Sequence, residues 1–223
     1  MPLFRSQKET IDSEAKAFME KLFKRYPKLK SSSGEIQEAL ALLISTYGSG
    51  GKLLLCGNGG SAADCDHIVG ELMKSFKMKR PIDASLEESL TAMGAEGKEL
   101  APLLEKPLTA VSLCEHNSLT TAYGNDRCPD TVFAQQLLGH GKKGDALIAL
   151  TTSGNSKNCV YAATLAKAMG ISVISVTGAL GGKISTLADV AIKLDESETY
   201  LVQELTLPLY HYLCAELEKH FFA

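Results

Sequence analysis

The 223 residues, 45% apolar and 22% charged, are enough to bury one substantial core and predict one domain over 1–223. A net charge of −3 with no cluster of either sign excludes binding through bulk charge to a nucleic-acid backbone or an anionic membrane. No apolar run of membrane-spanning length, no basic-then-apolar start and six cysteines without a C-x-x-C pair predict a cytoplasmic protein with reduced thiols.

In chain order, Ile11, Ala15, Phe18 and Leu22 recur at helical steps with charges between them, which predicts an amphipathic helix ending near Tyr26 and Pro27. After a break at Ser31, Ser32, Ser33 and Gly34, the set Ile36, Leu40, Leu43, Ile44 and Tyr47 predicts a second helix, closed by glycines at 48, 50 and 51. The two form an N-terminal helical segment at about 5–47. Short apolar runs then follow at 53–56, 109–113, 146–151, 171–176 and 190–194, separated by helix-length segments. Buried parallel strands with helical crossovers have this pattern, so an open α/β sheet is expected over 52–223, with a last amphipathic helix at about 199–221. The segment 82–107 breaks the alternation. Rich in Glu, Ala and Leu, it predicts one or two short helices outside the sheet, either a lid or interface element or a tolerated insertion.

In such a sheet, ligands bind beyond the carboxyl ends of the strands. Two strand-to-helix junctions there have the composition of anion cradles. The first is Cys56-Gly57-Asn58-Gly59-Gly60-Ser61; the second is Thr151-Thr152-Ser153-Gly154-Asn155-Ser156. Glycines let the backbone approach a ligand, and hydroxyls with helix N-terminal amides suit a phosphomonoester. A single turn of this kind serves equally as a tight turn with a helix cap; two of them favour phosphate. Neither is a G-x-G-x-x-G or a G-K-[ST] loop, so no nucleotide cofactor is expected. Behind the first junction, His67 and Glu71 are four apart on one helix face, where they can meet a metal ion, a substrate, or only solvent. Gln203 and His211 interrupt an otherwise apolar set that includes Leu205, Leu209, Tyr210 and Leu213. Eight residues apart, they lie about 12 Å apart along a straight helix, too far to meet one ion easily. Either Pro208 bends that helix or the site draws on two chains.

Together, the CGNGGS junction with H-x-x-x-E, Y-G-N-D at 123–126, T-S-G-N-S at 152–156, V-T-G at 176–178 and Q-E-x6-H at 203–211 closely resemble one family. It is the sedoheptulose-7-phosphate (phosphoheptose) isomerases of the sugar isomerase (SIS) domain superfamily, and the resemblance covers roughly 35–223 apart from 82–107. It implies a three-layer α/β/α fold with a five-stranded parallel sheet, a homotetramer with its site at subunit boundaries, and a small phosphorylated sugar as substrate. By position, Glu71 corresponds to the general base and His211 to the second acid/base residue. His67 and Gln203 match positions that join those two around zinc in some members. Ser61, Thr152, Ser153 and Ser156 match phosphate-binding positions, with Asn58, Gly59 and Gly60 in the first loop and Asn125, Asp126 and Gln203 as further substrate contacts. A carboxylate and an imidazole suffice to move a proton between C1 and C2 of an open-chain sugar through an enediol. Zinc would polarise the carbonyl or order the site.

The departures bear on which sugar is bound. Ser75, beside Lys74, replaces an arginine usual four residues beyond the catalytic Glu. Cys114, Glu115, His116 and Asn117 stand where a Ser-Asp pair is usual, and Tyr200 stands in place of an Asp. His116, His140 and His220 are expected in surface or loop positions. An isomerase of another sugar phosphate remains open, as does a non-catalytic sugar-phosphate adaptor, although Glu71 together with His211 argues for an enzyme.

Overall fold

The computed structural model describes residues 17–223. A helix α1 runs over 17–25, so Ile11 and Ala15 of the expected first helix lie outside the described residues. A 3-10 turn at Pro27–Ser32 leads into α2 (Ser33–Gly48). Ser33 and Gly34 therefore belong to the helix rather than to the break. A helix's first turn makes no demand on its own N–H groups, and Gly34 has no neighbour for a side chain to displace.

Five parallel strands follow in the order β2-β1-β3-β4-β5, with β1 at Leu53–Gly57, β2 at Ala110–Ser112, β3 at Ala146–Leu150, β4 at Ser172–Thr177 and β5 at Val190–Lys193. Side chains alternate between two cores, as the strand period requires. Leu53, Leu55, Ile148, Ile174 and Ile192 face α2, α3 (Gly60–Met73) and the long C-terminal α9 (Thr199–Phe222). Leu54, Cys56, Leu147, Ala149 and Val173 face α7 (Val132–His140) and α8 (Lys157–Met169). Both faces are covered, which is why the central strands are apolar at every position. The result is the expected three-layer arrangement.

The segment 82–107 forms α4 (Ala84–Ala92), α5 (Ala95–Leu100) and a 3-10 turn at Ala101–Leu103, all off the sheet. No residue of α4 is buried. The stem of the segment is tied down: Glu105 accepts from the Ser75 backbone N–H (2.8 Å) and hydroxyl (2.6 Å), and the Lys106 N–H donates to the Arg80 carbonyl (2.7 Å). The short α6 (Asn117–Asp126) follows β2. The six cysteines are free thiols, and no helix among the described residues is long and apolar enough to cross a membrane.

Candidate active site

The strand order places β1 beside β3, with the chain winding away from them in opposite directions. This is the switch point at which open α/β sheets leave a crevice, and both glycine-bearing loops open there. Gly57 pairs with Leu150 at the strand ends, so the loops begin side by side. Asn58 donates to Asn158 Oδ1 (3.0 Å) and accepts from Asn158 Nδ2 (2.8 Å), a reciprocal amide pair that locks the first loop onto the start of α8. Asn58 thus has a structural partner that local sequence does not reveal.

The second loop is held from within and from behind. Thr151 Oγ1 donates to Ser156 Oγ (3.0 Å), the Asn155 N–H donates to Ser153 Oγ (3.2 Å), and the Lys183 N–H donates to Asn155 Oδ1 (3.0 Å). Gly154 has φ +67°, and a Cβ there would lie 2.0 Å from the Gly181 carbonyl oxygen, so only glycine lets the two loops pack. Thr152, Ser153 and Ser156 remain at least partly accessible at the head of α8, whereas Ser61 is buried at the head of α3. Helix N-terminal amides and hydroxyls converge on one crevice without a lysine or arginine in either loop.

The second assembly lies along α3 and α9, which run side by side in the same direction. Gln203 rests against Gly60, its Nε2 2.8 Å from where a Cβ would stand, and two turns on His67 meets Tyr210. There His67, Glu71 and His211 bring one ligand atom each to within 4.8 Å of one another. His67 Nε2 is 3.0 Å from Glu71 Oε1, and the His67 and His211 rings meet edge-on at 5.0 Å. Lys74 donates to the other carboxylate oxygen, Oε2, at 3.4 Å. His211 Nε2 is buried with no hydrogen-bond partner among the described residues, a lone pair or N–H left unpaired beside His67 and Glu71. Burial, then the neighbouring His67, holds the His211 imidazole below its ordinary pKa and so favours the neutral ring, against the opposing pull of Glu71. Phe76 and Tyr210 wall it at 5.4 and 5.0 Å between ring centres.

Gln203 of the same chain is not at this cluster. Its amide sits at the first residue of α3, and the rise of α9 carries it about 12 Å from His211. The hydrogen bonds and ion pairs of the described residues tie Asn125 and Asp126 to neither assembly. They end α6 in exposed positions, with the Asn125 amide donating to Asp126 (3.0 Å). His116 lies, as expected, in a loop, the one before α6, half-buried and stacked on His140 at 5.2 Å, with its Nδ1 buried and without a hydrogen-bond partner among the described residues.

Models described as the SIS domain match residues 17–106 and 129–215, and both stretches feed the one sheet. Phosphoheptose isomerase of Akkermansia muciniphila is 34% identical over 194 residues, covering 87% of this chain and 89% of that protein. The Helicobacter pylori (strain P12) protein of the same name is 37% identical over 197 residues, covering 86% and 90%. The chain belongs to the phosphoheptose isomerase family. The solved structure of phosphoheptose isomerase GmhA from Neisseria gonorrhoeae superposes with a TM-score of 0.70 at 30% identity, over 93% of this chain and 98% of that one. The anchors that hold the loops and the cluster are not evident from local sequence: Asn158 on Asn58, Tyr210 between His67 and Asp64 (3.2 Å), and a buried Arg80–Glu218 ion pair (2.8 Å) joining the turn after α3 to α9. Tyr210 sits in an apolar run, and Asp64 stands one helical turn before His67, the one local hint available.

Proposed function

We propose that this chain interconverts sedoheptulose 7-phosphate and D-glycero-D-manno-heptose 7-phosphate through an enediol, with Glu71 and His211 moving the protons. Family membership makes it a phosphosugar isomerase. The observation that carries the proton-transfer reading is the convergence of Glu71 from α3 and His211 from α9 in one cluster. A proton leaves C1 of the open-chain ketose for Glu71 as the C1=C2 bond forms, and His211 protonates the former carbonyl oxygen. Return of the proton to C2, with loss of the O1–H proton, leaves the aldehyde at C1. The two carboxylate oxygens of Glu71 have different surroundings. Oε1 faces His67 inside the cluster, while Oε2 faces the exposed Lys74.

His67, Glu71 and His211 also fit a zinc ion in donor type, spacing and the partnerless His211 Nε2. Bound there, zinc would supply positive charge for the developing enediolate oxygens. The phosphate is held by Thr152, Ser153 and Ser156 with the N-termini of α8 and α3, where Ser61 and Gly60 begin the helix. Its dianion is met by amides and hydroxyls rather than by a basic surface.

Distance argues that the site is shared between copies. Along α3 the rise from Gly60 to Glu71 is about 16 Å. Seven carbons with bonds of about 1.5 Å, plus the ester oxygen and phosphorus, extend roughly 10 Å. That mismatch supports a cradle and a cluster drawn from different chains of a homo-oligomer, with a Gln203 that meets the cluster belonging to another copy. Incubation with sedoheptulose 7-phosphate in deuterated water, with and without chelator, tests the reaction. Deuterium at C2 of the aldose, absent in Glu71→Gln, is the expected result, and absence of exchange in the parent chain rejects the proposal.

A further inference from the structure

The geometry points to Tyr210 and Asp64 as positioning residues that hold His67 in the tautomer with its proton on Nδ1, so that the Nε2 lone pair faces Glu71 and His211. The inference rests on reading that cluster as the working site. The Tyr210 hydroxyl stands 3.2 Å from Asp64 Oδ1 and 2.9 Å from His67 Nδ1, with His67 Nε2 a further 3.0 Å from Glu71 Oε1.

The phenol has one proton and two neighbours. If it donates to His67 Nδ1, the imidazole proton must sit on Nε2 and point at Glu71, and Asp64 loses its hydroxyl donor. If it donates to Asp64, its oxygen accepts from Nδ1–H, and the imidazole is fixed the other way. With a cation between Nε2 and Glu71, the second arrangement is favoured on two grounds. Asp64 is an acceptor only, and a hydrogen bond to a carboxylate is roughly twice as strong as one to a neutral acceptor. Tyr210 is 3% exposed, so its hydroxyl has little water to turn to and must settle between these two partners.

With Nδ1 as the protonated nitrogen, Nε2 presents a lone pair opposite a carboxylate oxygen. That arrangement is repulsive unless a cation lies between them, and tetrahedral zinc with bonds of about 2.0–2.2 Å sets its ligand atoms little farther apart than this pair stands. The relay thus prepares His67 as a cation ligand and withholds a hydrogen bond that would otherwise occupy Glu71. A carboxylate reaching the ligand imidazole through a phenol does what a directly bound carboxylate does at other metal sites.

The test uses the full chain with zinc bound and then in competition with a chelator. Nitrogen-15 NMR of the zinc-loaded parent chain is expected to show the His67 Nδ1–H hydrogen-bonded and slow to exchange with solvent. Tyr210→Phe, which keeps the ring and removes the hydroxyl, speeds that exchange and weakens zinc binding by about 10- to 100-fold. Asp64→Asn keeps an acceptor oxygen without the charge and gives an intermediate zinc affinity. An Nδ1–H exchange rate and a zinc affinity unchanged in both variants overturn the relay, as does zinc held through His67 Nδ1 in the parent chain. A parent chain that binds no zinc or lacks isomerase activity overturns the site reading separately.

Discussion

Arg80 donates from Nη2 to the backbone carbonyl of Glu71 at 3.1 Å, and from Nη1 to that of Leu72 at 2.7 Å. A fully buried cation thus caps the end of α3, which supplies two of the three cluster residues, as a positive group at a helix C-terminus does. Its counter-ion Glu218, on α9, accepts from Arg80 Nε (2.8 Å) and from the N–H groups of Phe76 and Lys77 (2.7 Å each) and Met78 (3.2 Å). The pair joins α3, the turn after it and α9 behind the cluster.

Removing one member of this pair strands the other in a site where the two side chains are 0% and 1% exposed. Arg80→Met or Glu218→Gln is therefore expected to lower unfolding free energy by about 3–5 kcal/mol, measured by urea titration. A loss below about 1 kcal/mol would mean that water reaches the stranded partner. Because Arg80 also holds the carbonyl of Glu71, any folded Arg80→Met protein should lose kcat more than its KM changes.

Glu71→Gln removes the base and leaves the cradle intact. Turnover is expected to fall by at least about 10²- to 10⁴-fold, the usual worth of a positioned acid or base. Binding of the sugar phosphate, measured by calorimetry, should change little. Retained turnover would assign the base elsewhere.

The cradle makes the opposite prediction. Thr152→Val deletes a hydroxyl at the head of α8 while keeping its shape, and a hydrogen bond to a charged group contributes about 1.5–3 kcal/mol. KM is expected to rise about 10- to 100-fold with kcat nearly unchanged, the signature of a contact made equally to substrate and transition state. An equal fall in kcat would place Thr152 at the reacting carbons instead.

Glu105 links the 82–107 segment to Ser75, next to Lys74 and Glu71. The hydroxyl and backbone N–H of Ser75 hold its carboxyl below the ordinary glutamate range. A depressed folded pKa contributes stability in full above the unfolded value of about 4.3, and the contribution is lost as pH falls through the folded value. The stability gap between the parent chain and Glu105→Gln should therefore narrow from about pH 5 downward, as followed by urea midpoints. A constant gap would mean that the link does not depend on the charge.

These relationships differ in how far they were legible beforehand. The strands were plain because residues such as Leu53, Leu54 and Leu55 must be apolar toward both layers, and the loops because glycine and hydroxyl residues stood at their ends. The anchors were not. Asn58 reads as a ligand contact until Asn158, 100 residues away, comes beside it. Tyr210 reads as core because a phenol declares its polar end only when a partner is placed against it. Gln203 and His211 matched one motif, yet helical rise separates them, and no local pattern says which chain supplies each.

That separation leads to the last prediction. If cradle and cluster serving one sugar lie on different chains, two inactive variants can repair each other. Glu71→Gln keeps a sound cradle, and the double variant Thr152→Val/Ser156→Ala keeps a sound cluster. In a mixed oligomer, some sites pair the cradle of the first with the cluster of the second, so refolding the two together should restore a fraction of parental activity at low substrate. If both parts came from one chain, every site in the mixture would carry one defect and no activity would return. Sedimentation of the parent chain should show an oligomer under assay conditions, and a fully active monomer would exclude the shared site outright.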